Sequence, residues 1–173
     1  MSEFRRIDLG HINLRGDISD KRFVDGVAMV LGQRLPVEPN TVSIADHRVY
    51  WLGPNEWQVV TESGRADVLV NGLKDALVDQ HVAINKLSGG QVVLHLTGTD
   101  VAELLARGCT LDLHPTVFGV GDCAQSGLAK ANVLIGYIDA TPVYEIIVRR
   151  SFSEYLLRWL RQNIHSHADS ASC

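Results

Sequence analysis

The chain has 173 residues, 46% of them hydrophobic and 21% charged. That balance excludes a largely disordered or collagen-like polymer and leaves enough chain for a real core, since folding at this length buries roughly 68–70% of the unfolded surface. Sixteen Lys plus Arg against twenty Asp plus Glu give a net charge of -4, so a nucleic-acid surface would have to be a local patch. The basic pairs Arg5-Arg6, Arg149-Arg150 and Arg158/Arg161 are short and read as solvated faces.

In the first segment, Asp8, Gly10 and His11 interrupt the chain before an apolar stretch of signal-peptide length can form, and the expected location is cytoplasmic. The most apolar runs, Val92 to Leu96 and Ala131 to Ile138, are strand-sized and fall short of the ~18 residues that span a bilayer. Cys109, Cys123 and Cys173 are odd in number and lack C-x-x-C spacing, which fits free thiols in a reducing compartment.

Ile7, Leu9, Ile12 and Leu14 predict a strand or strand pair ending at Arg15-Gly16-Asp17. A helix follows, capped by Ser19 or Asp20, with Phe23, Val27, Val30 and Leu31 at helical spacing and Gly32 then Pro36 as its stop. Arg48 to Leu52 and Trp57 to Thr61 flank Gly53-Pro54-Asn55 and predict a hairpin. From Arg65 to Gln80, Leu69, Leu73, Ala76 and Leu77 line one face of a second helix, which Gly72 weakens by about 1 kcal/mol relative to Ala.

The second half repeats that order. Val92, Leu94 and Leu96 alternate along a strand, and Val101, Leu104 and Leu105 form a short helix stopped by Gly108. A hairpin follows, with Ala131, Val133, Ile135 and Tyr137 on one arm, a turn at Asp139-Ala140-Thr141, and Tyr144, Ile146 and Val148 on the other. Ser151-x-x-Glu154 reads as a capping box for a last helix that buries Phe152, Tyr155, Leu156, Trp159 and Leu160. Leu14-Arg15-Gly16-Asp17 sits in the first half where Leu96-Thr97-Gly98-Thr99-Asp100 sits in the second.

The expectation is therefore an α+β fold of duplicated strand-helix-hairpin-helix units, with mixed or antiparallel sheets carrying helices on one face. It is one domain over residues 1–165, with pseudo-repeat halves of about 5–82 and 83–165 joined by an extra strand near Val82 to Leu87, and a flexible tail at 166–173. The strand side bearing Val93, His95 and Thr97 needs covering.

Chemical signals are sparse. Gly119-Val120-Gly121-Asp122-Cys123-Ala124 matches G-x-G-x-x-A, but His114-Pro115 precedes it in place of a parallel strand, and β-like alternation follows it, so a structural turn is expected. No P-loop and no G-x-S-x-G is present. Asp112 and His114 lie two apart, so the carboxylate could orient the imidazole, and Cys109 and Cys123 could complete a zinc site; the plainer reading is buried thiols and a loop histidine bonded to backbone. His165, His167 and Cys173 could capture zinc adventitiously in a tail rich in Ser and Ala. Trp51, Trp57 and Trp159 are explained by core packing, and Trp51 and Trp57 could equally mark an interface.

Ile12-Asn13-Leu14-Arg15-Gly16-Asp17, Leu35-Pro36 with Pro39-Asn40, Trp51-Leu52-Gly53-Pro54-Asn55-Glu56-Trp57 and Leu96-Thr97-Gly98-Thr99-Asp100 together resemble the gamma subunit of heterotetrameric sarcosine oxidase. So does the stretch Gly108-Cys109-Thr110-Leu111-Asp112-Leu113-His114-Pro115 with Phe118, Gly121, Cys123, Ala124 and Gln125, and Arg150 to Leu156 with Trp159-Leu160 completes the likeness. The resemblance implies part of the folate-binding aminomethyltransferase fold. It also implies a complex of alpha, beta, gamma and delta chains that demethylates sarcosine oxidatively to glycine, forming hydrogen peroxide and passing the one-carbon unit to tetrahydrofolate. FAD, FMN, NAD and the folate site then belong to the larger chains, and this chain is accessory, with no catalytic, cofactor or metal residue of its own. Relatives often carry Asp-x-Ser where this chain has Lys86-Leu87-Ser88, which removes a carboxylate that could serve a pterin or amine. The expected contact residues toward the partners, the alpha chain first, are Trp51, Trp57, Asp112, His114, Phe118, Cys123 and Gln125. Two alternatives stand beside this: a gamma-type subunit of a related dehydrogenase of N-methyl amino acids such as N-methylglutamate, and a stand-alone folate-binding protein of the aminomethyltransferase type.

Overall fold

A computed structural model describes the backbone of residues 2–170 and the side chains of residues 2–164. The chain divides into two compact units, one of residues 8–89 and one of residues 90 onward joined by residues 1–7.

The 8–89 unit runs β2 (Leu9–Arg15), α1 (Lys21–Leu31), β3 (Val42–Ile44), β4 (Arg48–Gly53), β5 (Glu56–Glu62), α2 (Ala66–Ala76) and β6 (Ala83–Lys86), with sheet order β3-β4-β5-β2-β6. Every pairing in it is antiparallel. Ile12, Leu14, Val49, Trp57 and Val59 alternate onto one face and pack with Phe23, Val27 and Leu31 of α1 and with Leu69 and Leu73 of α2. Asp20 caps α1 by accepting from Arg22 N, and the Arg22 guanidinium holds the Asp20 carboxyl below its ordinary range. Gly32 ends the helix at φ 69°, its N–H donating to Ala28 O. The two helices approach closely where they carry glycine: a Cβ on Gly26 would lie 2.9 Å from Leu77 Cδ2, and one on Gly72 would lie 3.2 Å from Val30 Cγ1. The helix-propensity cost of Gly72 is thus offset by packing.

The other unit runs β7 (Gln91–Thr97), α3 (Val101–Ala106), β8 (Cys123–Leu128), β9 (Ala131–Asp139), β10 (Val143–Arg149) and α4 (Arg150–Ser170), and its sheet is completed by β1 (Glu3–Ile7) in the order β1-β7-β10-β9-β8. It too is antiparallel throughout. Leu94, Leu96, Ile135, Tyr144 and Ile146 face Leu104, Leu105, Leu156 and Leu160 in its core. Written from β2 and from β7, the two units have one topology: strand, helix, three-strand meander, helix, final strand. The final strand of the second unit is β1, from the chain's beginning.

That pairing corrects the expected boundary between the halves. β6, expected as the extra strand joining the halves, pairs with β2 from Ile12↔Lys86 to Arg15↔Ala83 and belongs to the first unit, while β1 pairs with β7 from Glu3↔Thr97 to Ile7↔Val93. Hydrogen bonding between strands distant in sequence, which no local pattern specifies, decides both. The capping box is displaced as well. Helix α4 begins at Arg150, whose N–H donates to Gly90 O, so Ser151 lies inside the first turn and Ser153 Oγ donates to Arg150 O. The α4 backbone stays helical to Ser170, past the expected start of the tail at 166, in a run without Gly or Pro; residues 171–173 lie outside the described residues.

Candidate functional site

In the first unit the motif segments meet at the end of β2. The turn before β5 supplies Asn55, whose carbonyl accepts from Gly16 N at 3.2 Å and whose Oδ1 accepts from Ile18 N at 3.1 Å. Glu56 Oε1 accepts from Asn13 Nδ2 at 2.8 Å and from Arg15 Nη2 at 2.9 Å. Asp17 closes an Asx turn on Ser19, and the bonds from Ser19 hold its carboxyl below its ordinary range. Phe23 packs directly on Gly16, where a side chain would overlap its ring. A cleft of about 590 Å³ opens here, lined by Arg15, Gly16, Asp17, Asn55, His81 and Val82 among others.

In the second unit the segment between α3 and β8 is held as a shaped surface loop. Tyr144 OH donates to Leu113 O, and Phe118, Tyr144 and Tyr137 form a stack with centroid separations of 6.5 and 4.6 Å. Gly121, at φ 94°, donates its N–H to Tyr137 O, Tyr137 N donates to Asp122 O, and Asp122 Oδ2 accepts from Gly119 N. The Gly119-x-Gly121 turn therefore feeds strand β8, where a dinucleotide site would need a helix.

These placements sort the expected contact residues. Asp112, His114 and Gln125 are exposed and Trp51 is half-buried, so each keeps surface open to solvent. Trp57 (0% exposed), Phe118 (8%) and Cys123 (1%) are interior and present none. Trp57 is tilted against Phe23 at 5.9 Å and donates Nε1–H to Pro36 O, so a residue expected at an interface is a core anchor. The Asp112–His114 expectation is corrected in its chemistry: the carboxylate accepts from the His114 backbone N–H, while the imidazole Nδ1 is held by Thr116. Cys109 lies beside Ser126 Oγ at 3.6 Å, and among the described residues no three His, Cys, Asp or Glu side chains come together to hold a metal. The His165, His167 and Cys173 side chains lie outside the described residues. Lys86-Leu87-Ser88 is a structural tie: Lys86 Nζ pairs with Asp67 at 2.7 Å, Leu87 N donates to His11 O, and Ser88 Oγ accepts from His11 N. Among the described residues no helix is long and apolar enough to cross a membrane.

Sequence reasoning missed one pair. His95 Nε2 lies 2.6 Å from Oε2 of Glu145, which has no exposed surface, on the strand side bearing Val93 and Thr97. Both residues break an apolar alternation, which was the available signal; that they face each other depends on the β7/β10 register.

Two antiparallel units of one topology place the chain in the aminomethyltransferase fold class. The glycine cleavage system aminomethyltransferase T from Bartonella henselae superposes with a TM-score of 0.66 at 15% identity, over 92% of this chain and 45% of that one. The model of the "Sarcosine oxidase, gamma subunit family" matches residues 15–166, and the chain belongs to that family. The sarcosine oxidase subunit gamma of Corynebacterium sp. (strain U-96) is 32% identical over 136 residues, 78% of this chain; the match spans 65% of that relative's length. A chain of the heterotetrameric sarcosine oxidase from Corynebacterium sp. U-96, solved in complex with pyrrole 2-carboxylate, superposes with a TM-score of 0.88 at 27% identity, covering 95% of this chain and 84% of that one.

Proposed function

We propose that this chain is an accessory subunit of a cytoplasmic complex that demethylates sarcosine oxidatively to glycine, forming hydrogen peroxide and passing the one-carbon unit to tetrahydrofolate. The likeness over 95% of the chain to a chain of an assembled heterotetrameric oxidase carries this reading. FAD, FMN, NAD and the folate site are assigned to the larger chains of the complex, and this chain contributes shape. Its two units arose by duplication of one strand-helix-meander-helix module, and neither keeps a catalytic constellation in this reading.

Docking uses surfaces that are preformed, because a partner then need not order them on binding. The loop before β8 is braced from below by Tyr144 and Phe118 and exposes Val117 and Val120 beside Asp112 and His114. The β4–β5 turn, with Trp51 half-buried beside it, is the second contact, and the alpha chain is the first partner. Titrating the isolated full chain with FAD, FMN and tetrahydrofolate separates this role from that of a stand-alone folate-binding protein. No saturable binding of the three is expected, and folate binding by the isolated chain would replace the accessory reading with the stand-alone one.

A further inference from the structure

Strands β1, β7 and β10 set three charged or polar side chains in one row: Arg5 opposite His95, and His95 opposite Glu145. Glu145 has no exposed surface, and a buried carboxylate is costly unless donors satisfy it. A carboxylate only accepts, so in this pair His95 Nε2 donates and Nδ1 is the ring nitrogen left for other partners. His95 also lines a cavity of about 390 Å³, whose wall includes Glu3, Arg5, Ile7, Thr97 and Val143. Glu3 and Arg5 are two apart on β1 and so project to the same side of the sheet as His95 and Thr97.

We propose that this cavity binds a small α-amino acid as its zwitterion. Arg5 offers a planar pair of donors to the carboxylate, with the Thr97 hydroxyl and, when protonated, His95 Nδ1 beside it. Glu3 supplies the opposite charge for the ammonium group. Ile7 and Val143, at opposite ends of the cavity, each offer an apolar patch for a side chain. Glu145 is a positioning residue: it fixes the plane of the imidazole from below, and no ligand needs to touch it. A pocket for a simple anion would not require Glu3 on its wall, and one for a simple amine would not require Arg5.

The test is calorimetric titration of the full-length chain with L-leucine, with 4-methylpentanoate, which lacks the ammonium group, and with 3-methylbutylamine, which lacks the carboxylate. Saturable leucine binding is expected, with each single-charge analogue at least about tenfold weaker, as loss of one charge-assisted contact implies. Arg5→Gln and Glu3→Gln alter exposed edge-strand side chains and should each weaken leucine by a similar factor while leaving the melting temperature in place. Either analogue matching leucine, either variant binding like the unaltered chain, or no leucine binding at millimolar concentration would overturn the assignment. The outcome is independent of whether the chain assembles with an oxidase.

Discussion

The hydroxyl of Tyr144 donates to the main-chain carbonyl of Leu113 at 3.1 Å, tying the start of β10 to the loop that precedes β8. Burial, with Tyr137 stacked beside it, pushes the Tyr144 hydroxyl up to about 12. A folded-state value above the unfolded one, near 10, means that the contribution is complete below pH ~10 and is lost as pH rises toward about 12. Tyr144→Phe should therefore lower stability at pH 7 by about 1 kcal/mol through the orphaned carbonyl and flatten the alkaline decline. Thermal melts of both proteins between neutral and alkaline pH check this; parallel curves would refute the bond's role.

Gly16 leaves no room for a methyl group because the ring of Phe23 occupies that space. Gly16→Ala should cost at least about 1–3 kcal/mol by overpacking a core that Phe23 and Trp57 anchor together. Glu56→Ala, at a half-buried surface pair, should cost less, about 1 kcal/mol. Chemical denaturation of the two variants gives the order, and a Glu56 effect equal to or larger than the Gly16 effect would show that the polar clasp outweighs packing here.

His47 is a buried imidazole bonded to Thr61 Oγ1 at 3.0 Å. Desolvation lowers its pKa, and the Arg65 charge adds to that, against smaller opposing effects of Asp46 and Glu62. Because the folded value lies below the unfolded one, near 6.5, the unfolded chain takes up the proton first, and stability falls as pH drops below about 6.5. His47→Gln should be less sensitive to acid between neutral pH and about pH 5, read as the change in melting temperature across that range. Equal acid sensitivity in both proteins would exclude His47 as a source.

Asp112 and His114 shape the loop through an Asx turn and the Thr116 contact. Replacing either by Ala should lower the yield of the co-expressed complex and leave turnover per assembled complex nearly unchanged. Lost turnover at full assembly would place chemistry in this loop.

The four helices and both hairpins were legible because each has a strong period: Phe23, Val27 and Leu31 along α1, or Tyr144, Ile146 and Val148 along β10. The edge strands β1, β3 and β8 were not, whereas β6, also at an edge, lies where a strand is expected near Val82 to Leu87. β3 has three residues, β8 reads Cys-Ala-Gln-Ser-Gly-Leu with little alternation, and β1 carries charges that suit an exposed edge. Their membership depends on partners far along the chain. The same limit applies to the sites. Trp57 beside a turn fits a core or an interface equally well until Phe23 is placed against it, and His95 and Glu145, separated by 50 positions, meet only through strand register.

Co-expression of the proposed alpha, beta and delta partners with and without this chain, followed by size-exclusion chromatography, tests the proposed structural role most directly. Omission should cut the yield of the assembled complex sharply, with the full-length chain restoring it when added back. An intact, fully active assembly of the three remaining chains would contradict the account.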